Sequence, residues 1–335
     1  MTAALFATLL QASGLPNVWA MRHDPAGTYT GYYINFSSRT CTTKWAWKFD
    51  KLSGSLSGIG PRGEFYKSWD DLAPKQTDKR TFQVYSAKKQ LVFSVGYPAS
   101  FDIGPTKTGI SGWEAGEPLP FAFAGYREAK TPDERVSIQV LDSQRRWHSY
   151  PGAKLWTYGR TRDEIFVAKL KWAPIFRASK LEKGWIVSRK TGLGKPVNPS
   201  EFRKLLWPAA RIAYDRWGPF FFFMNPVSDP GYPSDPAYVI TSLFPYTDTE
   251  NVDAGKSAIV FPSGKVVIKT YHGTPLIAAK RVGGKMFVLT DDSYYNKVGW
   301  TEKDVLHLMK VDSKQGLSRV ASVAAPKGRS YAFAE

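Results

Sequence analysis

Short apolar, β-favouring runs separated by turn residues recur through most of the first 190 residues and again near the C-terminus, which is the pattern of strands. Ser263-Gly264 and Gly283-Gly284 each join two β-favouring runs, Ala258–Phe261 to Lys265–Tyr271 and Leu276–Val282 to Lys285–Thr290, which predicts a meander. Thr301 stands where a helix N-cap belongs, with Asp304 at N3 and Val305, Leu306 and Leu308 behind it, predicting a short closing helix. Upstream, Tyr29–Phe36 and Thr42–Phe49 read as aromatic strands, the second with Trp45, Trp47 and Phe49 on one face. Thr81–Ser86 and Gln90–Val95 read as a hairpin with a basic tip at Lys88-Lys89, and Val136–Leu141, Lys154–Tyr158, Ile165–Trp172 and Trp185–Arg189 as further strands.

Helix signals are few. Asn198-Pro199-Ser200-Glu201 has the form of a capping box with proline at N1, and Phe202, Leu205 and Leu206 follow at helical spacing. Pro208 should kink or split that helix, and Gly218-Pro219 should stop it. Ala3–Gln11 reads as a short helix, Lys67–Leu72 as one helical turn, and Phe220–Phe223 as a buried strand. The predicted fold is α+β and β-dominated, built of short antiparallel strands and hairpins with a few short helices.

Gly- and Ser-rich residues 51–63 and Gly- and Pro-rich residues 100–120 read as loops. Four prolines and Gly231 between Asn225 and Pro236 suggest a linker. The expected organisation is a β-rich unit over 1–224 with a capped helix near 199–216, a linker at 225–236, a small meander-plus-helix unit over 237–311, and a mobile tail at 312–335. No internal repeat is evident.

Composition sharpens this picture. Hydrophobic residues form 43% of the 335-residue chain, enough for a substantial core, and aromatic residues form 15%, which favours sheets over a helical bundle. The net charge of +17 points to a polyanionic partner, with nucleic acid favoured over an anionic membrane surface and no membrane partner expected. A single cysteine, Cys41, forms no internal disulfide, and His23, His148, His272 and His307 lack metal-ligand spacing, so neither metal nor cofactor is expected. The apolar stretch 1–10 lacks a basic leader and is far short of a membrane span, which suggests residence in a host cytoplasm or a virion rather than secretion.

The charge is concentrated. Between Lys154 and Arg216 fifteen Lys or Arg face five Asp or Glu, whereas 217–255 holds five acids and no Lys or Arg. Trp156, Tyr158, Phe166, Trp172, Phe176 and Trp185 interleave with the cations. Cations that hold phosphates beside rings that stack on bases are what a single-strand groove requires. The candidate nucleic-acid-binding residues are Lys154, Arg160, Arg162, Lys169, Lys171, Trp172, Arg177, Trp185, Arg189 and Lys190. In a strand, Lys169 and Lys171 share one face, while Leu170 and Trp172 share the other. An ordinary solvated basic face over an aromatic core gives the same pattern.

Two stretches resemble known families. Tyr271-His272-Gly273-Thr274 resembles the nicotinamide-binding element of diphtheria-toxin-like ADP-ribosyltransferases. That resemblance implies an NAD enzyme in which Tyr294 or Tyr295 supplies the tyrosine and Glu302 the glutamate, but Pro275 stands where that family turns into a helix. Lys269–Ala278, the Gly-Gly hairpin and Asp291–Thr301 resemble a small uncharacterised domain of bacteriophage proteins, a strand ending in Tyr-x-Thr-Pro, a hairpin and a short helix. Here Gly299-Trp300-Thr301 replaces the usual Thr-Thr-Ser. No GxSxG, Walker A, GxGxxG or calcium-loop motif occurs.

The expectation is therefore a non-enzymatic protein of a bacteriophage or mobile element, held to RNA or single-stranded DNA through its basic, aromatic-rich surface. A capsid or tail component acting through protein contacts, or one meeting an acidic protein surface, fits the same residues.

Overall fold

The computed structural model describes residues 14–48, 55–68, 81–96, 110–111, 122–126, 136–153, 155–158, 161, 163–171, 180–206, 208–209, 211–212, 214–216, 239–243, 255–261, 263–271, 278–291, 294–296, 299–301, 304–312, 316–326, 328 and 330–334. It is β-dominated, with short antiparallel sheets and little helix.

The first sheet contains β1 (Val18–His23), β2 (Thr28–Asn35) and β3 (Thr40–Lys48). The second is the meander β4 (Ser55–Ile59), β5 (Phe65–Ser68), β6 (Thr81–Tyr85) and β7 (Leu91–Gly96). The third is β8 (Ile110–Ser111), β9 (Ala122–Tyr126), β10 (Val136–Leu141) and β11 (Trp147–Pro151). The fourth is β12 (Leu155–Tyr158), β13 (Glu164–Lys171), β14 (Lys180–Ser188) and β15 (Gly194–Val197), followed by α1 (Pro199–Leu205). The fifth is β16 (Val239–Leu243), β17 (Gly255–Val260) and β18 (Val266–Tyr271). The sixth joins β19 (Ala278–Val282), β20 (Lys285–Asp291), β23 (Val305–Asp312) and β24 (Gly316–Ala324), with the ribbon β21 (Tyr294–Asn296) and β22 (Gly299–Thr301) inserted between its second and third strands. Finally β25 (Ser330–Phe333) returns to the first sheet and pairs antiparallel with β1, Phe333 opposite Val18.

Shared cores join the first sheet to the second, the third to the fourth, the fourth to the fifth, the fifth to the sixth and the sixth to the first, and a side-chain contact joins the second to the third, so the contacts close into a ring. Met21, Tyr29 and Trp45 of the first sheet share a core with Ile59 and Phe65 of the second. Arg145, in the β10–β11 turn, lies 5.1 Å from the Phe93 ring of β7, joining the second and third sheets. Ile138, Val140 and Tyr150 pack with Ile165, Val167 and Val187, joining the third to the fourth. Phe166, Leu170 and Phe202 pack with Val260, joining the fourth to the fifth. Ile259 and Phe261 pack with Val288 and Met309, and Leu289, Leu308 and Val323 pack with Val18, Ile34 and Phe333, which returns the contact to the first sheet. β25 lies between β4 and β19, the first strands of the second and sixth sheets. Among the described residues, six sheets follow one another in a ring beside the small β21–β22 ribbon, and β25 completes the first sheet; that is the architecture of a six-bladed β-propeller.

The turns repeat where the sequence does not. In five hairpins the first residue's N–H donates to the carbonyl of the fifth, and the fourth residue's N–H donates to the carbonyl of the first: 24–28, 60–64, 86–90, 142–146 and 261–265. The fourth residue is left-handed each time, with φ of 86° at Gly27, 74° at Gly63, 64° at Lys89, 63° at Arg145 and 90° at Gly264. This is the three-residue hairpin with a bulge in the left-handed region.

The predicted strands at 29–36, 42–49, 81–86, 90–95, 136–141, 154–158, 165–172, 258–261, 265–271, 276–282 and 285–290 correspond to β2, β3, β6, β7, β10, β12, β13, β17, β18, β19 and β20 within a few residues. The capping box is formed, with Glu201 N–H donating to Asn198 Oδ1 at 2.9 Å and Asn198 N–H to Glu201 Oε2 at 3.1 Å. The predicted helix at 301–308 is instead β23, where Leu306 and Leu308 are buried toward the first blade and His307 and Met309 are also buried. A strand covered on both faces carries apolar residues at consecutive positions, and that run imitates a helical stripe. The expected tail at 312–335 contains β24 and β25, the expected loop at 51–63 contains β4, and β5 replaces the start of the expected turn at 67–72. Cores shared by Phe166 with Val260, and by Val18 with Leu289, run across the expected two-unit division; its linker at 225–236 lies outside the described residues, as do Ala3–Gln11 and Phe220–Phe223.

Phe202 docks α1 on the fourth blade over Gly184, where a Cβ would stand 2.8 Å from Phe202 Cδ2 and 3.2 Å from Val197 Cγ2. Gly184→Ala is therefore expected to lower stability by about 1–3 kcal/mol through overpacking, read as a lower thermal midpoint with unchanged far-ultraviolet circular dichroism.

Candidate nucleic-acid interface

The β13–β14 hairpin concentrates the described part of the basic region. Lys169 lies opposite Lys183 and Lys171 opposite Lys180, with a register shift at Lys169/Leu170. Cross-strand partners share a face, so this arrangement sets four ammonium groups side by side. Leu170 and Leu181, between them in the ladder, are buried on the other face in the core beneath α1. Like charges directly opposite one another destabilise a sheet. Glu182 offsets one of them, accepting from Lys169 Nζ at 3.0 Å. Lys183 Nζ lies 5.0 Å from the Trp185 ring centroid, so the indole already carries a cation over its face.

The ten candidates are thus spread rather than gathered. Lys154, Arg160, Arg162, Trp172 and Arg177 lie outside the described residues. Lys169 and Lys171 share the expected face, away from buried Leu170. Trp185 is half-buried and packs edge-on against Tyr150 at 5.6 Å, so it is a wall of the core rather than an open stacking platform. Arg189 is a correction: it is 5% exposed, and its N–H donates to Asp163 O at 2.7 Å, so it does not present a surface cation. A strand-end arginine inside a basic run looks exposed in sequence, and its burial follows only from the packing of the fold. Lys190 is exposed, yet it lies in the turn after β14, at the opposite end of the blade from the lysine ladder. Sequence reasoning missed Lys180 and Lys183 as members of the ladder, because their register follows from a hairpin whose turn carries no sharp signature.

One polar cluster has the composition of a catalytic site and the geometry of a structural one. Asp142, fully buried at the start of the β10–β11 turn, accepts at Oδ1 from Gln144 N–H and Arg146 N–H, both at 2.8 Å. Its Oδ2 meets Arg146 Nε at 2.8 Å and His148 Nε2 at 2.9 Å. Burial opposes the charge, but the bonds from His148, Arg146 and Gln144 outweigh it and hold the carboxyl well below the usual carboxylate range. Ser143 N–H and Oγ both reach Lys190 O, at 3.2 and 2.7 Å, and Tyr150 Oη donates to Gly192 O at 2.6 Å. Burial also pushes the Tyr150 phenol well above its ordinary value. With every carboxylate lone pair engaged and both hydroxyls bonded to the next blade's turn, the cluster latches the third blade to the fourth. Among the described residues, no group of three or more His, Cys, Asp or Glu could hold a metal. No helix among them is long and apolar enough to cross a membrane. His272, Gly273, Thr274 and Glu302 of the transferase resemblance, and Pro275 that departs from it, lie outside the described residues.

No family model matches the chain, nor does any curated protein sequence. Solved structures with a similar course include TolB from Acinetobacter baumannii, at 10% identity and a TM-score of 0.45 over 99% of this chain and 70% of that one. A lignostilbene dioxygenase from Pseudomonas brassicacearum matches at 10% identity and 0.43, over 94% and 75%. The β-propeller domain of the Trilobed protease from Pyrococcus furiosus matches at 11% and 0.39, over 95% and 82%. The propeller assignment rests on the sheet order and the closed ring of cores, independently of these likenesses.

Proposed function

We propose that the protein is a non-enzymatic propeller scaffold that holds nucleic acid, in the single-stranded form, through the basic end of its fourth blade. The observation that carries this is the pair of like-charged rungs, Lys169 with Lys183 and Lys171 with Lys180. Such a ladder works against the hairpin on its own, and a phosphate backbone lying across it would remove the repulsion. An origin in a bacteriophage or mobile element belongs to the same reading, supported by the resemblance of Lys269–Ala278.

The test is fluorescence-detected binding of a labelled single-stranded oligonucleotide over a salt series, with a duplex of equal length alongside. Lys171→Gln/Lys180→Gln should weaken binding and flatten the log–log salt slope by about 1.4, the loss of two phosphate contacts. Unchanged affinity and slope in that variant would remove the ladder from the interface.

A further inference from the structure

The end of the propeller opposite the lysine ladder has a different surface. A meander reverses at each hairpin, so the turn between a blade's third and fourth strands emerges at the end away from its second-to-third turn. In the second, third and fourth blades these outer turns are 86–90, 142–146 and 189–193. Contacts make them neighbours: Arg145 lies over Phe93 of the second blade, and Ser143 bonds Lys190 of the fourth.

Two features occur together in this arc, although a third left-handed cation, Arg39 (φ 55°), stands in the first blade's β2–β3 turn. The tips of the arc are cationic, with Lys88, Lys89, Arg145, Arg146 and Lys190 all exposed. Lys89 and Arg145 occupy the left-handed position that Gly27, Gly63 and Gly264 occupy in the matching turns. Glycine adopts that conformation without strain, and a long cationic side chain does not, so the fold accepts a backbone penalty at both tips to hold a positive charge there. The arc also bares aliphatic side chains. Leu91, Val92 and Leu193 are 52%, 59% and 65% exposed, against only Val320 (39%) elsewhere among the described residues.

We propose that this arc is a docking surface for an anionic lipid bilayer, its Lys and Arg meeting the headgroups while Leu91, Val92 and Leu193 enter the acyl boundary. The aliphatic character decides the partner. A single strand of nucleic acid needs flat rings to stack on, whereas a charged interface over hydrocarbon rewards protruding Leu and Val between cations. The site is separate from the lysine ladder and does not depend on the nucleic-acid reading.

The experiment is flotation of the full chain with phosphatidylcholine vesicles with or without phosphatidylserine, at low and physiological salt. The wild-type protein should float only with the phosphatidylserine vesicles. Lys88→Gln/Lys89→Gly should lose about 25-fold in partitioning, at about fivefold per cation, while melting at a slightly higher temperature because the left-handed backbone at residue 89 relaxes. Binding lost together with stability gained separates a docking role from a structural one. Leu91→Ser/Leu193→Ser should abolish the fraction that stays bound at physiological salt. Lys171→Gln/Lys180→Gln, with the same loss of charge at the other end, should float as the wild type does. Equal loss in that variant would show attraction by net charge alone and overturn the proposal. So would unchanged flotation of the tip variant, or a tip variant that loses oligonucleotide binding but keeps vesicle binding.

Discussion

Removal of residues 329–335 is expected to abolish cooperative folding, leaving a protein that is insoluble or that shows no thermal transition. β25 is the innermost strand of the first blade and pairs with β1 through Val18–Phe333, Trp19–Ala332, Ala20–Tyr331 and Met21–Ser330. Phe333 is 5% exposed. Burial of such a ring stabilises by about 1.5–3 kcal/mol, and each ladder hydrogen bond adds about 0.5–1.5 kcal/mol. Ser330 Oγ also accepts from Ile59 N–H at 3.2 Å, and Lys280 Nζ donates to Ala334 O at 2.8 Å, so the strand ties the second and sixth blades to the first. Against a total stability of about 5–15 kcal/mol, loss of this strand leaves the ring no margin. Size-exclusion chromatography and differential scanning calorimetry of the truncated chain give the answer. A soluble monomer melting within a few degrees of the full chain would show that the ring does not depend on this closure.

The second large effect belongs to Asp142. Asp142→Ala is expected to cost about 2–3 kcal/mol, because it removes the buried acceptor of four hydrogen bonds, two of them from backbone N–H groups of the turn. Asp142→Asn keeps the volume and isolates the charge. Since the folded protein holds this carboxyl below its ordinary value, the unfolded chain takes up the proton first as the solution is acidified. The stabilisation is therefore complete above about pH 4 and is lost as pH falls further toward the folded-state value. Urea midpoints measured from pH 7 downward should decline steeply for the wild type below about pH 4 and less steeply for Asp142→Asn. Parallel curves would show that this carboxylate does not govern the acid limb.

Much of the sheet structure was legible because its signals are local. Val136–Leu141 alternates, Lys265–Tyr271 and Lys285–Thr290 are β-favouring runs that follow Ser-Gly and Gly-Gly turns, and Asn198 with Glu201 specifies a helix start by chemistry alone. What escaped was whatever depends on the ring. Val305–Leu308 reads as a helical stripe because β23 is covered by a blade on each side. Ser330–Phe333 is too short and too plain to read as a strand, and it becomes one only against β1. The propeller repeat escaped for a related reason. It resides in a turn geometry that Asp24-Pro-Ala-Gly, Gly60-Pro-Arg-Gly, Ser86-Ala-Lys-Lys and Asp142-Ser-Gln-Arg all satisfy without sharing a sequence. Of the site, the basic stretch was visible, but its division between two ends of one blade required the strand register.

The pairing of β25 with β1 also fixes an order of events during synthesis. Blades two to six can form from neighbouring residues as the chain emerges, at low cost in loop closure. β1 cannot be completed until residues 330–333 are made, and until then the inner edge at Val18, Ala20 and Met21 is a bare row of amides beside apolar side chains. An edge of that kind invites pairing with another chain. The interval between synthesis of β1 and arrival of β25 is thus the period of greatest aggregation risk, and slower translation late in the chain should lower the soluble yield.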